Sequence, residues 1–287
     1  MKECLENVRR KAPLVHNITN YVTVNDVANV ILAIGASPIM ADDREEVEEI
    51  TSLCEGLNIN IGTLNQRTIE AMHLAGKKAN ALQHKILLDP VGAGASALRT
   101  KTALSLMKEV HFDVIRGNVS EVKALALGSQ STKGVDADAV DVVREENLQK
   151  MLFFAKKYAQ SFGTILAITG AIDLVTDGEK AYVIRNGCQE MSRITGTGCQ
   201  LSGLISAFLA ANPENALEAV AAATCAMGLA GEIGKAHLLE GEGNATYRNR
   251  IIDAVSLMTG EELEKGAKYE IRSRLPFTVC GDGSTLA

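Results

Sequence analysis

The sequence predicts an α/β fold of three layers, in which a mainly parallel sheet lies between two layers of helices. Short apolar, β-branched runs alternate with longer segments of helical period through most of the 287 residues. Such alternation is typical of parallel sheets that are covered on both faces. In addition, Asp177–Gly178 separates two late apolar runs in the manner of a two-residue hairpin turn, which predicts an antiparallel hairpin.

The first half of the chain alternates helices and strands. Apolar residues recur at helical spacing between Val24 and Leu32, which predicts one face of a helix. A short strand, SPIMA, follows at 37–41, and the acidic segment after it is expected to be a helix that Gly56 closes. The remaining elements of this half are predicted at 57–62 (strand), 67–83 (helix), 85–92 (strand), 100–110 (helix), 112–118 (strand) and 120–128 (helix).

The second half begins with a polar segment, 128–147, which is expected to be a surface loop that leads into a helix. A strand at 164–170 and the hairpin at 173–187 come next, and nearly everything from Cys199 onward has helical character. The last residues have lost that period. We therefore predict one domain at 1–268 and a C-terminal tail at 269–287 that is disordered or non-native.

The composition excludes several classes of protein. A net charge of −6, without basic runs interleaved with aromatic residues, argues against nucleic acid or an anionic membrane as a partner. The six cysteines are scattered without a C-x-x-C pair, which predicts neither a zinc site nor a disulfide framework. The first residues lack a secretory apolar segment, and the longest uncharged stretch, 219–231, is too short and too rich in alanine and glycine to span a bilayer. We expect a reduced, cytoplasmic protein.

The most informative short segment is TGTGC at 195–199, a glycine-rich turn before an apolar helical pattern. Amides at a helix N-terminus bind anions, and those of Gly196, Thr197, Gly198 and Cys199 suit a phosphoryl group in transfer. The alternative is a turn that glycine merely permits. Cys199 has two roles open to it. It is either a proton acceptor that the helix N-terminus keeps partly ionised, or a residue that only shapes the turn.

Residues that interrupt the apolar runs follow the predicted strands, at the edge where α/β sheets bind ligands. They are Met40, Gly62–Thr63, Asp89, Arg116–Gly117–Asn118 and Thr169–Gly170. Their convergence on one edge of the sheet predicts a binding site there.

Asp89 and Glu121 are the candidate ligands of Mg²⁺, because a site for phosphoryl transfer needs carboxylates for this ion, usually reached through water. Arg116 has the planar fork that suits phosphate oxygens. Each residue also has a plainer alternative. Asp89 can be a turn residue before proline, Glu121 the partner in an N-x-x-E capping box, and Arg116 an ordinary surface arginine. No P-loop, tight dinucleotide fingerprint or serine-hydrolase elbow accompanies them.

Seven motifs occur in an order that resembles a known family. They are PLVHNITNYV (13–22), GASPIMA (35–41), NIGTL (60–64), LDPVGAGA (88–95), IRGN (115–118), AITGAID (167–173) and ITGTGC (194–199). Together they resemble the hydroxyethylthiazole kinases of the ribokinase-like superfamily, over about residues 5–265. Most ribokinase-like relatives carry aspartate after the glycine-rich turn, whereas thiazole kinases are similar to this chain in having cysteine.

The resemblance implies a ribokinase-like fold that uses ATP and Mg²⁺ to phosphorylate the alcohol of 4-methyl-5-(2-hydroxyethyl)thiazole in thiamine salvage. It also implies a homotrimer with substrate sites near the subunit contacts. The implied site residues are Met40, Gly196, Asn20 and Gly62 for the thiazole, Arg116 and Thr169 for ATP, Asp89 and Glu121 for the metal and phosphates, and Cys199 as the base. Two of them have plainer alternatives, since methionine fills cores and Asn20 can cap a helix that starts near Thr23 or Val24.

The chain departs from the family in GEGNATY (241–247), which stands where the family often has a GSF-like stretch, and the contacts to adenine are therefore not assigned. Two rival functions are another ribokinase-like enzyme, such as a hydroxymethylpyrimidine kinase or a nicotinamide-nucleotide hydrate dehydratase, and a nucleotide-binding regulator without turnover. The enzymes of the first class favour aspartate at 199. Finally, HNITNYVTVN (16–25) lacks strand–helix alternation and is expected to be a loop that completes a neighbour's pocket.

Overall fold

A computed structural model of the protein describes residues 1–128 and 142–273, and it contains a nine-stranded sheet between two layers of helices. The strands are β1 (Leu14–Ile18), β2 (Ser37–Met40), β3 (Gly56–Asn60), β4 (Lys85–Asp89), β5 (Val114–Asn118), β6 (Ile165–Thr169), β7 (Asp173–Thr176), β8 (Ala181–Ile184) and β9 (Tyr269–Arg272). The helices are α1 (Lys2–Lys11), α2 (Val24–Ile34), α3 (Val47–Leu53), α4 (Gln66–Ala81), α5 (Ala97–Glu109), α6 (Val119–Gly128), α7 (Leu148–Phe162), α8 (Thr197–Ala211), α9 (Ala216–Ala236), α10 (Asn244–Leu257) and α11 (Gly260–Gly266). The predicted three-layer architecture is confirmed.

The sheet has the order β2-β1-β3-β4-β5-β6-β7-β8-β9. Every pair from β2 to β6 is parallel, so the carboxyl ends of these six strands lie along one edge. The last three pairs, from β6 to β9, are antiparallel. The sheet is therefore mainly parallel with late antiparallel strands, as the sequence predicts.

The central strands are apolar because both of their faces are buried. In β4, Ile86 and Leu88 belong to one buried cluster, which α4 to α7 help to form, whereas Leu87 belongs to a second cluster built largely from α1, α2, α8 and α9. Successive side chains of a strand point to opposite faces. A continuous apolar run thus fills two cores at once.

The hairpin after β6 is present, but its loop is longer than predicted. Thr176 pairs with Ala181, so four residues, 177–180, connect β7 and β8 rather than two. The Asp177 carboxylate accepts N–H bonds from Glu179 and Lys180 at 2.9 and 2.8 Å, and it is this side chain that organises the turn. A second boundary also differs, because α3 ends at Leu53 and Gly56 begins β3 instead of closing the helix.

The sheet extends past the predicted domain boundary at 268. Strand β9 pairs with β8 over Tyr269–Arg272, so the sheet takes up the first residues of the predicted tail. The loss of helical period marks a strand at this point. The rest of that tail, 274–287, lies outside the described residues, as does 129–141 of the predicted surface loop.

The segment HNITNYVTVN is only partly the predicted loop. Its first three residues, His16 to Ile18, belong to β1 in the parallel part of the sheet, and Val24 already begins α2. His16 is fully buried and bonded through its two ring nitrogens to Thr51 and to the carbonyl of Ala41, as expected of a structural histidine. The loop proper is short and connects β1 to α2.

One helical segment among the described residues, Pro213–Ala236, is long and apolar enough to cross a membrane by length and composition alone. The uncharged run at 219–231 is only the middle of this helix, which extends beyond it on both sides. The length of that run therefore understates the length of the apolar helix. In the fold, 72% of the most apolar window of the helix is buried inside the protein. The segment is packed as a core helix.

Candidate active site

The carboxyl edge of the parallel strands gathers the predicted polar residues. In the sheet register, Asn60 at the end of β3 lies beside Asp89 at the end of β4, and Asn118 of β5 lies beside Thr169 of β6. Met40 ends β2 at the outer side of the same edge. The convergence that the sequence predicts is thus present.

The turn at 194–199 leads directly into α8, whose N-terminus faces this edge. Gly196 is the N-cap residue with φ +87°, a left-handed conformation that favours glycine. No side chain of the described residues caps the helix, and the first hydrogen bond of the turn runs from Gln200 N to Gly196 O. The amides of Thr197, Gly198 and Cys199 therefore have no partner within the helix, as is usual for a first turn.

Glycine is also required at 196 and 198 by close packing. A Cβ atom on Gly196 would lie 2.4 Å from Cγ2 of Thr23, and one on Gly198 would lie 2.5 and 2.6 Å from the two terminal nitrogens of Arg116. The guanidinium of Arg116 thus lies directly against the first turn of α8. Arg116 and the 196–199 turn, the two groups predicted to bind phosphate, are therefore in contact.

Arg116 is held from β5 toward that turn by two partners. Its Nη2 donates to Thr169 Oγ1 at 2.7 Å, and its Nη1 lies 3.5 Å from Asp89 Oδ2. The side chain is 12% exposed, and Nε is buried without a hydrogen-bond partner among the described residues. The surface-arginine alternative therefore does not hold.

Asp89 is fully buried, and in the described part of the chain only one of its two carboxylate oxygens accepts hydrogen bonds. Its Oδ2 accepts from Asn60 Nδ2 at 2.9 Å and from Ser202 Oγ at 2.7 Å, whereas Oδ1 is buried without a partner in the described part of the chain. Burial raises the pKa of Asp89 to about 6, although the Arg116 charge acts in the opposite direction. The Oδ1 atom is therefore the candidate ligand for a cation.

Glu121 forms the capping box that was its plainer alternative. Asn118 N donates to Glu121 Oε2 at 2.8 Å, Glu121 N donates to Asn118 Oδ1 at 2.9 Å, and Gly92 N donates to Glu121 Oε1 at 2.9 Å. The carboxylate therefore connects the start of α6 to the loop after β4. Its negative charge also contributes to the raised pKa of Asp89, so the two acids face one site.

The donor set fits a magnesium ion that is bound mostly through phosphate and water. No group of three or more histidine, cysteine or acidic side chains that could enclose a metal occurs among the described residues. Mg²⁺ is usually held by one or two carboxylates together with waters and substrate phosphates. The unpartnered Oδ1 of Asp89, with Glu121 nearby, matches that pattern.

Cys199 lies at the third position of α8 and is 8% exposed. Its sulfur accepts hydrogen bonds from Asn20 Nδ2 at 3.2 Å and from Asn60 Nδ2 at 3.3 Å. Asn20 in turn accepts from Thr23 Oγ1 at 3.2 Å. The Cys199 sulfur is thus placed as the acceptor of two amide N–H groups.

Asn20 does not cap α2, because Thr23 is the N-cap residue and no side-chain cap is formed. Its amide instead contacts Cys199, and a Cβ atom on Gly62 would lie 2.9 to 3.0 Å from this Asn20 side chain. The structure thus brings Asn20, Gly62 and the 196–199 turn together. Met40 lies farther along the edge, half-buried, and packs against the core cluster beneath α8, in keeping with its plainer alternative.

Several residues at this site were missed by sequence reasoning. Asn60 contacts both Cys199 and Asp89, Ser202 contacts Asp89, and Arg99 Nη2 donates to the carbonyl of Gly62 at 2.6 Å. Asp173 accepts from Gly170 N at 2.8 Å beyond Thr169, and burial raises the pKa of Asp173 to about 7. Of these residues, only Asn60 could have been singled out from the sequence, because an amide in the apolar strand LNINIG requires a hydrogen-bond partner.

Comparisons with known proteins agree with this geometry. The model of the hydroxyethylthiazole kinase family matches residues 5–261. A hydroxyethylthiazole kinase of Clostridium acetobutylicum is 58% identical over 270 residues, which are 94% of this chain and 99% of that protein. A solved hydroxyethylthiazole kinase structure from Pyrococcus horikoshii superposes with a TM-score of 0.84 at 34% identity, covering 94% of this chain and 98% of the other.

A more distant likeness concerns the fold alone. An ADP/ATP-dependent NAD(P)H-hydrate dehydratase from Bacillus subtilis, crystallised with ATP and Mg²⁺, superposes with a TM-score of 0.52 at 16% identity, covering 86% of this chain and 90% of that one. A ribokinase-like superfamily protein from Enterococcus faecalis superposes with a TM-score of 0.58 at 13% identity, covering 92% of this chain and 89% of that one, so the three-layer fold is the ribokinase-like one.

Proposed function

The chain belongs to the hydroxyethylthiazole kinase family, and we propose that it transfers the γ-phosphoryl group of ATP to the alcohol of 4-methyl-5-(2-hydroxyethyl)thiazole in thiamine salvage. One observation carries the chemical part of this proposal. The guanidinium of Arg116 lies against the uncapped first turn of α8, with the sulfur of Cys199 in that same turn. A phosphoryl group bound there has cationic and amide donors on one side and a proton acceptor beside it.

The reaction proceeds by in-line displacement at the γ-phosphorus. The alcohol oxygen forms a bond to phosphorus while the bond from phosphorus to the β–γ bridging oxygen breaks, and ADP leaves. The alcohol proton passes to Cys199 Sγ and later to water. The amides of Gly196 to Cys199 and the Arg116 guanidinium hold the charge of the transferring group, which is the main work of phosphoryl-transfer sites.

Asp89 and Glu121 are the residues that would hold Mg²⁺ near the phosphates. When bound, the ion neutralises charge on the phosphate oxygens. Asp89 would offer its Oδ1, which has no partner among the described residues, whereas both Glu121 oxygens already accept backbone N–H bonds, so Glu121 would contribute through its remaining lone pairs or a water. The thiazole would lie toward Asn20, Gly62 and Met40, with Asn20 in contact with the Cys199 sulfur.

Magnesium dependence provides a test of Glu121. We expect Glu121→Gln to raise the Mg²⁺ concentration needed for half-maximal turnover more than it raises the KM for the thiazole. A magnesium titration of both enzymes measures the difference. Because glutamine keeps only one of the two oxygens that accept backbone N–H bonds, the melting temperature should be recorded alongside. If the magnesium midpoint is unchanged, Glu121 is a helix cap and nothing more.

Arg116 provides a test of the nucleotide side. Charge-assisted hydrogen bonds contribute about 1.5–3 kcal/mol. Arg116→Ala should therefore weaken the binding of ATP by about ten- to a hundredfold and leave thiazole binding nearly unchanged. Separate KM measurements for the two substrates check this. Equal losses for both substrates would indicate a general defect of the fold instead.

We also propose that the chain assembles into a ring-shaped homotrimer in which the β1–α2 loop completes a neighbour's pocket. Tyr21 is 79% exposed and Val22 58% exposed, although both adjoin Asn20 at the site. Two exposed apolar side chains beside a site suit a contact with another copy, and heterologous contacts close into rings. The proposal includes a cytoplasmic location, with which the free thiols of the described cysteines are in keeping.

Assembly is tested by placing charge in that loop. Tyr21→Asp is expected to convert a trimer into monomers and to lower turnover, because each pocket loses its neighbour. The matched control is Phe153→Asp, at an exposed aromatic residue on α7. Mass measured in dilute solution, alongside turnover, decides the question. A wild-type protein that is monomeric and fully active would exclude the proposal.

The substrate assignment is tested against the rival functions by an ATP-consumption screen. The thiazole alcohol, a hydroxymethylpyrimidine, a hydrated nicotinamide nucleotide and a pentose are offered to the same preparation. The proposal expects the thiazole alcohol to have the largest kcat/KM. Preference for the pyrimidine or for the hydrated nucleotide would identify the other ribokinase-like enzymes, and no consumption with any of them would favour a regulator without turnover.

A further inference from the structure

We propose that Asn60 is a positioning residue for the transfer step, which holds the sulfur of Cys199 and the carboxylate of Asp89 as acceptors at a fixed separation. The inference rests on the proposed function for the roles of those two groups. It adds a residue of β3 that links the proton acceptor to the candidate metal ligand. The geometry of the Asn60 side chain carries it.

Asn60 is 1% exposed and uses every hydrogen-bonding capacity of its amide. Its Nδ2 donates to Asp89 Oδ2 at 2.9 Å and to Cys199 Sγ at 3.3 Å. Its Oδ1 accepts from Gly62 N at 2.9 Å and from Asn20 Nδ2 at 3.0 Å. A buried amide with four partners has one orientation, because rotation would leave several of them unpaired.

The orientation of the Asn60 amide follows from its backbone partner. A peptide N–H can only donate, so the atom that lies 2.9 Å from Gly62 N must be the oxygen. The NH₂ group then points at Asp89 and Cys199. Both of these groups are thereby placed as acceptors, and the same backbone contact prevents the amide from reversing.

The neighbouring amide of β3 shows that this arrangement is particular to position 60. Asn58 is two residues earlier on the same face of the strand and fully buried. Its Nδ2 donates to Asn17 Oδ1 at 3.0 Å, and its own Oδ1 has no partner in the described part of the chain. Asn58 therefore lies outside the site and provides a matched control on the same strand.

The effect of Asn60 on the reaction is electrostatic. One N–H bond from Asn60 and one from Asn20 stabilise negative charge on the sulfur, and the second N–H of Asn60 stabilises the Asp89 carboxylate beside it. Without Asn60, the sulfur of Cys199 and the carboxylate of Asp89 would each lose an N–H donor in a buried space. Loss of Asn60 should therefore lower turnover strongly and should affect the KM for the thiazole much less.

The test combines turnover with the rate at which Cys199 is alkylated by iodoacetamide, followed by mass spectrometry of its peptide. Asn60→Ala should lower kcat by about a hundredfold, within the range for loss of one preorganised donor, and change the thiazole KM by less than about threefold. Alkylation of Cys199 should slow by about tenfold, because the thiolate loses a charge-assisted bond. Asn58→Ala should leave the alkylation rate unchanged.

The alkylation rate separates this role from a structural one. A merely structural Asn60 would loosen the site when removed, expose the thiol and make alkylation faster. Asn60→Asp is the second variant, since aspartate keeps an acceptor for Gly62 N but turns a charge toward Asp89 and Cys199; its alkylation should be slower still. Alkylation at or above the wild-type rate in both variants would overturn the proposal. Alkylation needs no turnover, so its result stands apart from whether the thiazole is the substrate.

Discussion

Alanine at position 198 is expected to lower turnover by about two to three orders of magnitude, the loss that follows removal of a preorganised donor at a reacting centre. The added Cβ would lie 2.5 to 2.9 Å from three atoms of the Arg116 guanidinium. Arg116 can give way only by leaving Thr169 or Asp89. The cradle between the arginine and the first turn of α8 would then be lost.

The fold should be retained. Alanine within a helix is more favourable than glycine by up to about 1 kcal/mol, which offsets part of the cost of displacing Arg116, so the melting temperature of Gly198→Ala should stay close to that of the wild type. Gly243→Ala is the matched control, because a Cβ there has no atom of the described residues within 4 Å and the glycine has φ −115°. Turnover of Gly198→Ala within about threefold of wild type would show that no phosphate is bound in this cradle.

Serine at position 199 is expected to lower turnover by about a hundredfold, within the range that general bases contribute. The Asn20 and Asn60 amides would then donate to a hydroxyl that does not ionise near neutral pH. Aspartate at 199 should keep or exceed wild-type turnover, because its carboxylate can accept the same two N–H bonds. The two variants are compared at saturating ATP over a pH series.

The opposite pattern has a definite meaning. If Cys199 only shapes the turn, the Cys199→Ser variant should have nearly wild-type turnover. The Cys199→Asp variant should then have lower turnover, because its charge repels the phosphate and Asp89. A serine variant within a few-fold of wild type would therefore exclude proton transfer to the sulfur. In a loose phosphoryl transition state the proton moves late, which is why the aspartate variant is needed beside the serine variant.

The part of the site that sequence could predict is the part that the backbone determines. Parallel strands bring their carboxyl ends to one edge, so the ends of the apolar runs alone were enough to group Asp89, Arg116 and Thr169. The glycines at 196 and 198 indicated a turn before a helix. The resemblance to a family supplied Asn20, Gly62 and Met40 as thiazole contacts, a role that no spacing in the chain would have assigned to them.

Contacts between distant segments could not be predicted. Asn60 and Ser202 meet Asp89 only because α8 packs across β3 and β4, 113 residues separating Ser202 from its partner. Glu121 satisfies its capping box and faces Asp89 at once, so the two alternatives drawn from its spacing were not exclusive. Strand β9 was missed because its pairing with β8 crosses most of the second half of the chain.

The measurement that tests the central claim most directly is the identification of the product by ³¹P nuclear magnetic resonance. Purified protein is incubated with ATP, Mg²⁺ and 4-methyl-5-(2-hydroxyethyl)thiazole. The account predicts one new phosphomonoester signal, split into a triplet by the adjacent CH₂ group, that grows in step with ADP and is strongly reduced with Gly198→Ala. Formation of ADP and free phosphate without that ester, or no change in ATP under conditions where the protein is folded, would contradict it.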